Sequence, residues 1–196
     1  MEKVVFTLGY GHAPVRDVLR VLELLGADAV VDIRSIPFSR RRPEMNRPAL
    51  ERLLRGHGLA YYYLGEGLGG MPDGPGKPVV YFGNATCGVV PLSERPAFHR
   101  DIKRLLALLE QGRRPVLLCR CADPRRCHRA RFVGVALVQR GLSVWHVDMG
   151  AFQRHAAEIT TKEALLRRAA LDGRSFAAAL DTQKDLFGDT VIGRAL

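Results

Sequence analysis

The chain reads as α/β: a single three-layer domain with a mainly parallel sheet of about five strands, plus a helical C-terminal tail. Three observations predict this. Short apolar runs alternate with longer stretches in which apolar residues recur every three or four positions, the pattern of successive βαβ units. The short runs carry few polar residues, as expected of strands buried on both faces by helices. The 196 residues, 47% of them hydrophobic, suffice for one core and a tail but not for two large domains.

Residues 4–8 form the first expected strand, ending in Gly9-Tyr10-Gly11-His12, and a helix over 15–25 closes at Gly26. A second strand covers 29–33 and is followed by a loop over 34–46. Pro48 then opens a helix to about Arg55, with Gly56 and Gly58 ending it. Residues 59–64 are a third strand, and 65–78 are rich in glycine and proline, a composition suited to a segment lying over a binding face. A short extra strand is expected at 79–82. Ser93 or Glu94 caps a helix to about Glu110, and residues 115–119 are the fourth strand. Asp123 as cap and Pro124 at the first helical position predict a helix over 124–140 that stops at Gly141, before a fifth strand at 143–147. The α/β core is assigned to residues 1–148. Residues 149–196 are read as a helical or irregular appendage, with helices at 162–170 and 175–180.

Charge narrows the partners. The formal net charge is +10, from 30 basic and 20 acidic residues, and 25 of the basic ones are arginine, the side chain suited to bidentate phosphate contact. A phosphate-bearing ligand or nucleic acid is the expected partner, although solvated or paired arginines would give the same total. Seven arginines lie between Arg34 and Arg55, so Arg40, Arg41, Arg42 and Arg47 are the nucleic-acid candidates. No apolar run approaches the length of a membrane span, and no basic-apolar-small signal opens the chain, so no membrane partner and a cytoplasmic location are expected.

The densest chemistry is Cys119-Arg120-Cys121-Ala122-Asp123-Pro124-Arg125-Arg126-Cys127-His128-Arg129, which holds three of the four cysteines. In a parallel sheet every loop after a strand emerges on one edge. Tyr10, His12, Asp32, Arg34, Glu66, His146 and Asp148 should therefore converge with the cysteine segment. A thiol at a helix start among arginines should ionise readily. Cys119 and Cys127 can also be read as small core residues.

Taken in order, Thr7-Leu8-Gly9-Tyr10, Val31-Asp32-Ile33-Arg34-Ser35 with Pro43-Glu44-Met45-Asn46, Leu68-Gly69-Gly70, and Leu117-Leu118-Cys119 with Asp123-Pro124 and Cys127-His128-Arg129 resemble domain-of-unknown-function family 488 over about residues 4–147. The resemblance implies an α/β fold with an uncharacterised activity. Cys121 stands where that family usually shows a carboxylate, and 83–91 stands in place of its aromatic-rich stretch.

The leading expectation is a basic, cysteine-containing pocket at the C-terminal edge of the sheet, binding a nucleotide or nucleic acid. Were it catalytic, Cys127 or Cys119 would be the nucleophile, His128 or His12 the acid–base, Asp32 the orienting carboxylate, and Arg34 and Arg129 the anion clamps. Tyr10, Asn46, Glu66 and Arg125 complete the candidate ligand contacts. Cys119 to Arg125 also has the C-x5-R spacing of cysteine-dependent phosphatases and sulfurtransferases. Pro124 and the lack of glycine leave that loop few inward amides. A metal site at Cys119, Cys121, Cys127 and His128 is set aside because Cys127 and His128, adjacent on a helix, would diverge. No cofactor is expected, and a disulfide from Cys127 to Cys119 or Cys121 stays open. The alternative is a noncatalytic DNA-associated adaptor. It would use the arginine-rich loop and Gln183, Leu186 and Phe187, which are similar to the Gln-x-x-Leu-Phe peptide by which bacterial DNA-repair and replication proteins dock on the sliding clamp.

Overall fold

A computed structural model describes residues 3–71 and 95–176. Strands β1 (Val4–Gly9), β2 (Ala29–Asp32) and β4 (Pro115–Cys119) are buried almost throughout, and runs of this kind become the middle of a sheet covered on both sides. With β3 (Ala60–Tyr63), β5 (Ser143–Val147) and β6 (Ala170–Asp172) they form one six-stranded sheet in the order β3-β2-β4-β1-β5-β6. β6 alone runs antiparallel, pairing Trp145 with Asp172 and Val147 with Ala170.

Side-chain alternation divides the core into two layers. Val116 and Leu118 of β4 pack with Val18, Val21 and Leu22 of α1 (Val15–Leu24) and with Leu50 and Leu54 of α2 (Arg47–Gly56). Leu117 and Cys119, one residue out of step, pack with Phe98, Ile102 and Leu105 of α4 (Pro96–Glu110). Between β3 and α4 lies the single turn α3 (Gly65–Leu68), whose Gly67 amide donates to the buried Asp101 carboxylate of α4 at 3.0 Å.

The two sheet edges differ. Gly26, Gly58, Gly112 and Gly141, which precede β2 to β5, all have φ between 63° and 79°, so left-handed glycines close the tight loops of the amino edge. The carboxyl edge carries the longer, polar loops after β2 and β4.

Three features depart from the expected elements. The predicted helix over 124–140 is broken into a 3-10 turn (Pro124–Arg126), an extended Cys127 with φ −119° and ψ 139°, a π-helical turn (Arg129–Gly134) and α5 (Val135–Val138). Asp123 caps the amide of Arg125 as expected, but one turn later the chain straightens and the fully buried Arg129 side chain reaches back under the preceding loop. The second departure is the sixth strand, which comes from the expected appendage. α6 (Met149–Arg154) and α7 (Lys162–Ala169) supply Phe152, Leu165 and Ala169 to the core, so residues 149–172 complete the sheet and one of its layers. Thirdly, β2 and β3 each end one residue before the expected boundary. The strand expected at 79–82 and the Ser93 or Glu94 cap lie outside the described residues, as does most of the helix expected at 175–180. Among the described residues no helix is long and apolar enough to cross a membrane.

Candidate functional site

The cysteine segment leaves β4 beside the end of β1: the Tyr10 amide donates to Cys119 O at 3.1 Å and the Gly11 amide to Arg120 O at 2.9 Å. The strand ends at Cys119 and the chain bends at Arg120, which carries Cys121 to the surface with its thiol still close to that of Cys119. Cys127, extended rather than helical, turns its sulfur back toward them. The three Sγ atoms lie within 4.8 Å of one another, and Cys127 donates to Cys119 at 3.4 Å. Cys119 and Cys127 are buried, whereas Cys121 is exposed.

His128 completes the cluster. Its Nε2 is 3.2 Å from the carbonyl of Ile33. A carbonyl only accepts, so Nε2 carries the proton, and in the neutral ring Nδ1 is a bare lone pair. Nδ1 lies 3.7 Å from Cys127 Sγ and 3.9 Å from Cys119 Sγ. The ring therefore ties the loop after β2 to the thiols after β4.

Arg129 sits beneath this loop with no exposed surface. Its guanidinium donates to the carbonyls of Cys121, Ala122 (3.0 Å) and Val147 (3.4 Å), and it has no carboxylate partner among the described residues. Gly9 makes room for it, since a β-carbon there would collide with the Cys121 carbonyl and the guanidinium. The thiols share protons unequally. Hydrogen bonds from Cys119 and then Cys127 hold the Cys121 thiol well below its ordinary value, outweighing the opposing effect of burial and aided by the charge of Arg129. Cys127 is pushed up, through its hydrogen bonds to Cys119 and Cys121 and through burial.

Asp32 and Arg34 form a second, separate group. The carboxylate accepts from Arg34 Nε at 2.8 Å, Arg34 NH2 at 2.5 Å, the Arg34 amide at 3.0 Å and the Tyr61 hydroxyl at 2.7 Å. Arg34 NH1 donates to Met45 O at 2.8 Å and to the Tyr10 hydroxyl at 3.2 Å. Both charged groups are buried. Burial opposes the Arg34 charge, but the Asp32 contact outweighs it and the pKa rises; burial and then Asp32 push the Tyr61 hydroxyl up. Here the expected clamp and orienting carboxylate engage each other, and their geometry braces the loop after β2.

The remaining candidates disperse. Asn46 accepts from the Ser39 amide at 2.5 Å and folds the same loop. Arg42 turns inward to Glu44 (2.5 Å) and to the Ala13 carbonyl (2.8 Å), while Arg47 lies over the Tyr63 ring at 4.6 Å. Arg40, Arg41 and His12 are exposed. Glu66 is on the outer surface, 3.2 Å from Arg100, and points to the face of α4 rather than to the thiols. Arg125 is also exposed, 3.7 Å from Asp123, outside any cradle around Cys119. His146 is fully buried and shares a 2.7 Å hydrogen bond with Thr7. Gln183, Leu186 and Phe187 lie outside the described residues.

Two site features were not ranked from the sequence. Cys121 is the thiol that solvent reaches, a consequence of its two-residue step from Cys119 past the strand end. A regular helix through both would make Cys127 and His128 diverge, but the break between the 3-10 turn and the π turn leaves Cys127 Sγ 3.7 Å from His128 Nδ1, which removes that objection to a metal. The other feature is the loop after β2, where Phe38 is 59% and Ile36 38% exposed beside Arg40 and Arg41.

Residues 14–77 match the model of the family described as domain of unknown function DUF488, and the resemblance carried by the sequence motifs holds over that stretch. No curated protein and no solved structure matches the chain.

Proposed function

We propose that the carboxyl edge of the sheet binds a phosphate-bearing ligand, with a single-stranded stretch of nucleic acid as the best fit. The observation that carries this reading is the loop after β2, which presents Phe38 and Ile36 to solvent next to the exposed Arg40 and Arg41. Exposed aromatic surface beside arginine suits stacking of a base with its phosphate held alongside. The loop after the neighbouring strand β4 adds the exposed Arg120 and Arg126. Among the described residues Arg40, Arg41, Arg120 and Arg126 have no acidic partner, unlike Arg42 and Arg125. Cations of this kind gain by releasing counterions from a phosphate chain.

The reading concerns binding first. Cys119 and Cys127 are 3% and 1% exposed, so a catalytic version would need Cys121 as the reacting thiol. The C-x5-R phosphatase or sulfurtransferase version would further need Arg125 to swing inward from Asp123. The adaptor version uses the same arginines and adds the tail peptide at residues 183–187.

Fluorescence anisotropy with labelled single-stranded and duplex oligonucleotides over a salt series tests the proposal. Single strands should bind more tightly. Changing Arg40, Arg41, Arg120 and Arg126 to alanine should make the slope of log K against log salt shallower by about 0.7 for each phosphate that these arginines neutralise. Phe38→Ala should weaken single-strand binding with little change in that slope. Unchanged affinity in the fourfold variant would reject the proposal. Binding of a free nucleotide but no oligonucleotide would restrict the ligand to the smaller molecule.

A further inference from the structure

We propose that Cys119, Cys121, Cys127 and His128 hold one zinc-class divalent cation, a site independent of the nucleic-acid reading above. Zinc with three thiolates and an imidazole is tetrahedral, with Zn–S of about 2.3 Å and Zn–N of about 2.0–2.1 Å, which places donor atoms roughly 3.5–3.8 Å apart. Cys119, Cys127 and His128 already stand near that spacing, and Cys121 would close in on the ion. Cys119 and Cys127 Sγ are 3.4 Å apart, and His128 Nδ1 is 3.7 and 3.9 Å from Cys127 and Cys119 Sγ. Cys121 Sγ lies within 4.8 Å of both other sulfurs, on the solvent side from which an ion would enter.

The second observation is the orientation of the imidazole. A metal-bound histidine characteristically gives its other ring N–H to a carboxylate or backbone carbonyl, which sets the tautomer and aims the free nitrogen. His128 does this through Nε2 to Ile33 O at 3.2 Å, leaving Nδ1 directed at the thiols. The donor set is soft, which favours zinc and its neighbours over magnesium or calcium. The buried Arg129 guanidinium, bonded to the carbonyls of Cys121 and Ala122, holds the loop in the shape that gathers the ligands and offsets the charge of three thiolates. Binding exchanges thiol protons for the cation and releases those protons to solvent, with no change of oxidation state. The ion would pin the loop after β4 to the loop after β2.

The test uses the full chain, reduced and stripped with a chelator, titrated first with Co2+ and then with Zn2+. Co2+ should give the intense visible bands of tetrahedral coordination and thiolate charge-transfer absorption at one ion per chain, and Zn2+ should bleach both. Cys121→Ser, at an exposed position where folding is not at stake, should lower affinity by more than about tenfold, since loss of even an outer-shell partner costs that much. Cys87→Ser should leave spectrum and affinity unchanged. A pale octahedral cobalt spectrum without charge transfer would overturn the site. So would tetrahedral bands that survive Cys121→Ser and Cys119→Ser at full affinity, or that vanish in Cys87→Ser. Circular dichroism of each variant separates loss of ligand from loss of fold.

Discussion

At the scale of single residues, the protein buries a neutral histidine and, among its three described thiols, exposes one. Burial, and then the nearby charge of Arg129, pushes the His146 pKa down to about 3, against a partial opposing effect of Asp172. The unfolded chain takes up this proton near pH 6.5 and the folded protein does not, so stability is complete above that pH and falls as pH drops toward the folded value. On the order of 3 kcal/mol should be lost between about pH 6.5 and pH 4 from this group alone. His146→Gln should flatten that part of the pH dependence in urea unfolding; an unchanged slope would show that His146 is protonated in the fold. Thiol exposure gives a second expectation. In reduced, metal-free protein, iodoacetamide should modify Cys121 first, while Cys119 and Cys127 react only as the protein opens, as peptide mass mapping would resolve. Equal rates at all three thiols would contradict their burial. The cluster was legible as a place in the sequence, but the ordering of its thiols was not. Exposure depended on how far β4 continued and where the next turn began.

At the scale of elements, the loop after β2 is organised from within by an ion pair. Asp32→Asn leaves Arg34 buried without its counter-ion and should cost about 3–5 kcal/mol in chemical denaturation, with part of the loss recovered in Asp32→Asn/Arg34→Met. A cost below about 1 kcal/mol would mean that the pair is solvated, as surface pairs are. The sequence placed both residues at the correct strand end. It could not show that they would close on each other, because that depends on the loop after β2 folding Arg34 back over the strand end. The segment after β4 shows the opposite limit. Asp123 and Pro124 are sound signals for a helix start, and a turn does form there. Its continuation was decided by Arg129, whose long-range contact to Val147 on β5 no local pattern reveals.

At the scale of the whole molecule, apolar periodicity was sufficient for the layers and for five of the six strands. The missing strand is three residues, 170–172, paired antiparallel on an edge, too short for a pattern to announce. Parallel order then does for function what composition alone could not. It gathers the loops after β2 and β4 on one edge and leaves the glycine turns on the other, so Arg40, Arg41, Arg120 and Arg126 share an edge with Phe38 and the thiol cluster. Net charge of +10 is compatible with many surfaces, and strand order is what singles out the carboxyl edge as the one proposed here. The most direct test of that selection is residue-resolved NMR of the isotope-labelled chain titrated with an unlabelled single-stranded oligonucleotide. Amide shift changes should concentrate at residues 35–46 and 120–128, with the turns at Gly26, Gly58, Gly112 and Gly141 unmoved. Changes centred on those glycine turns, or none at saturating oligonucleotide, would contradict binding at the carboxyl edge.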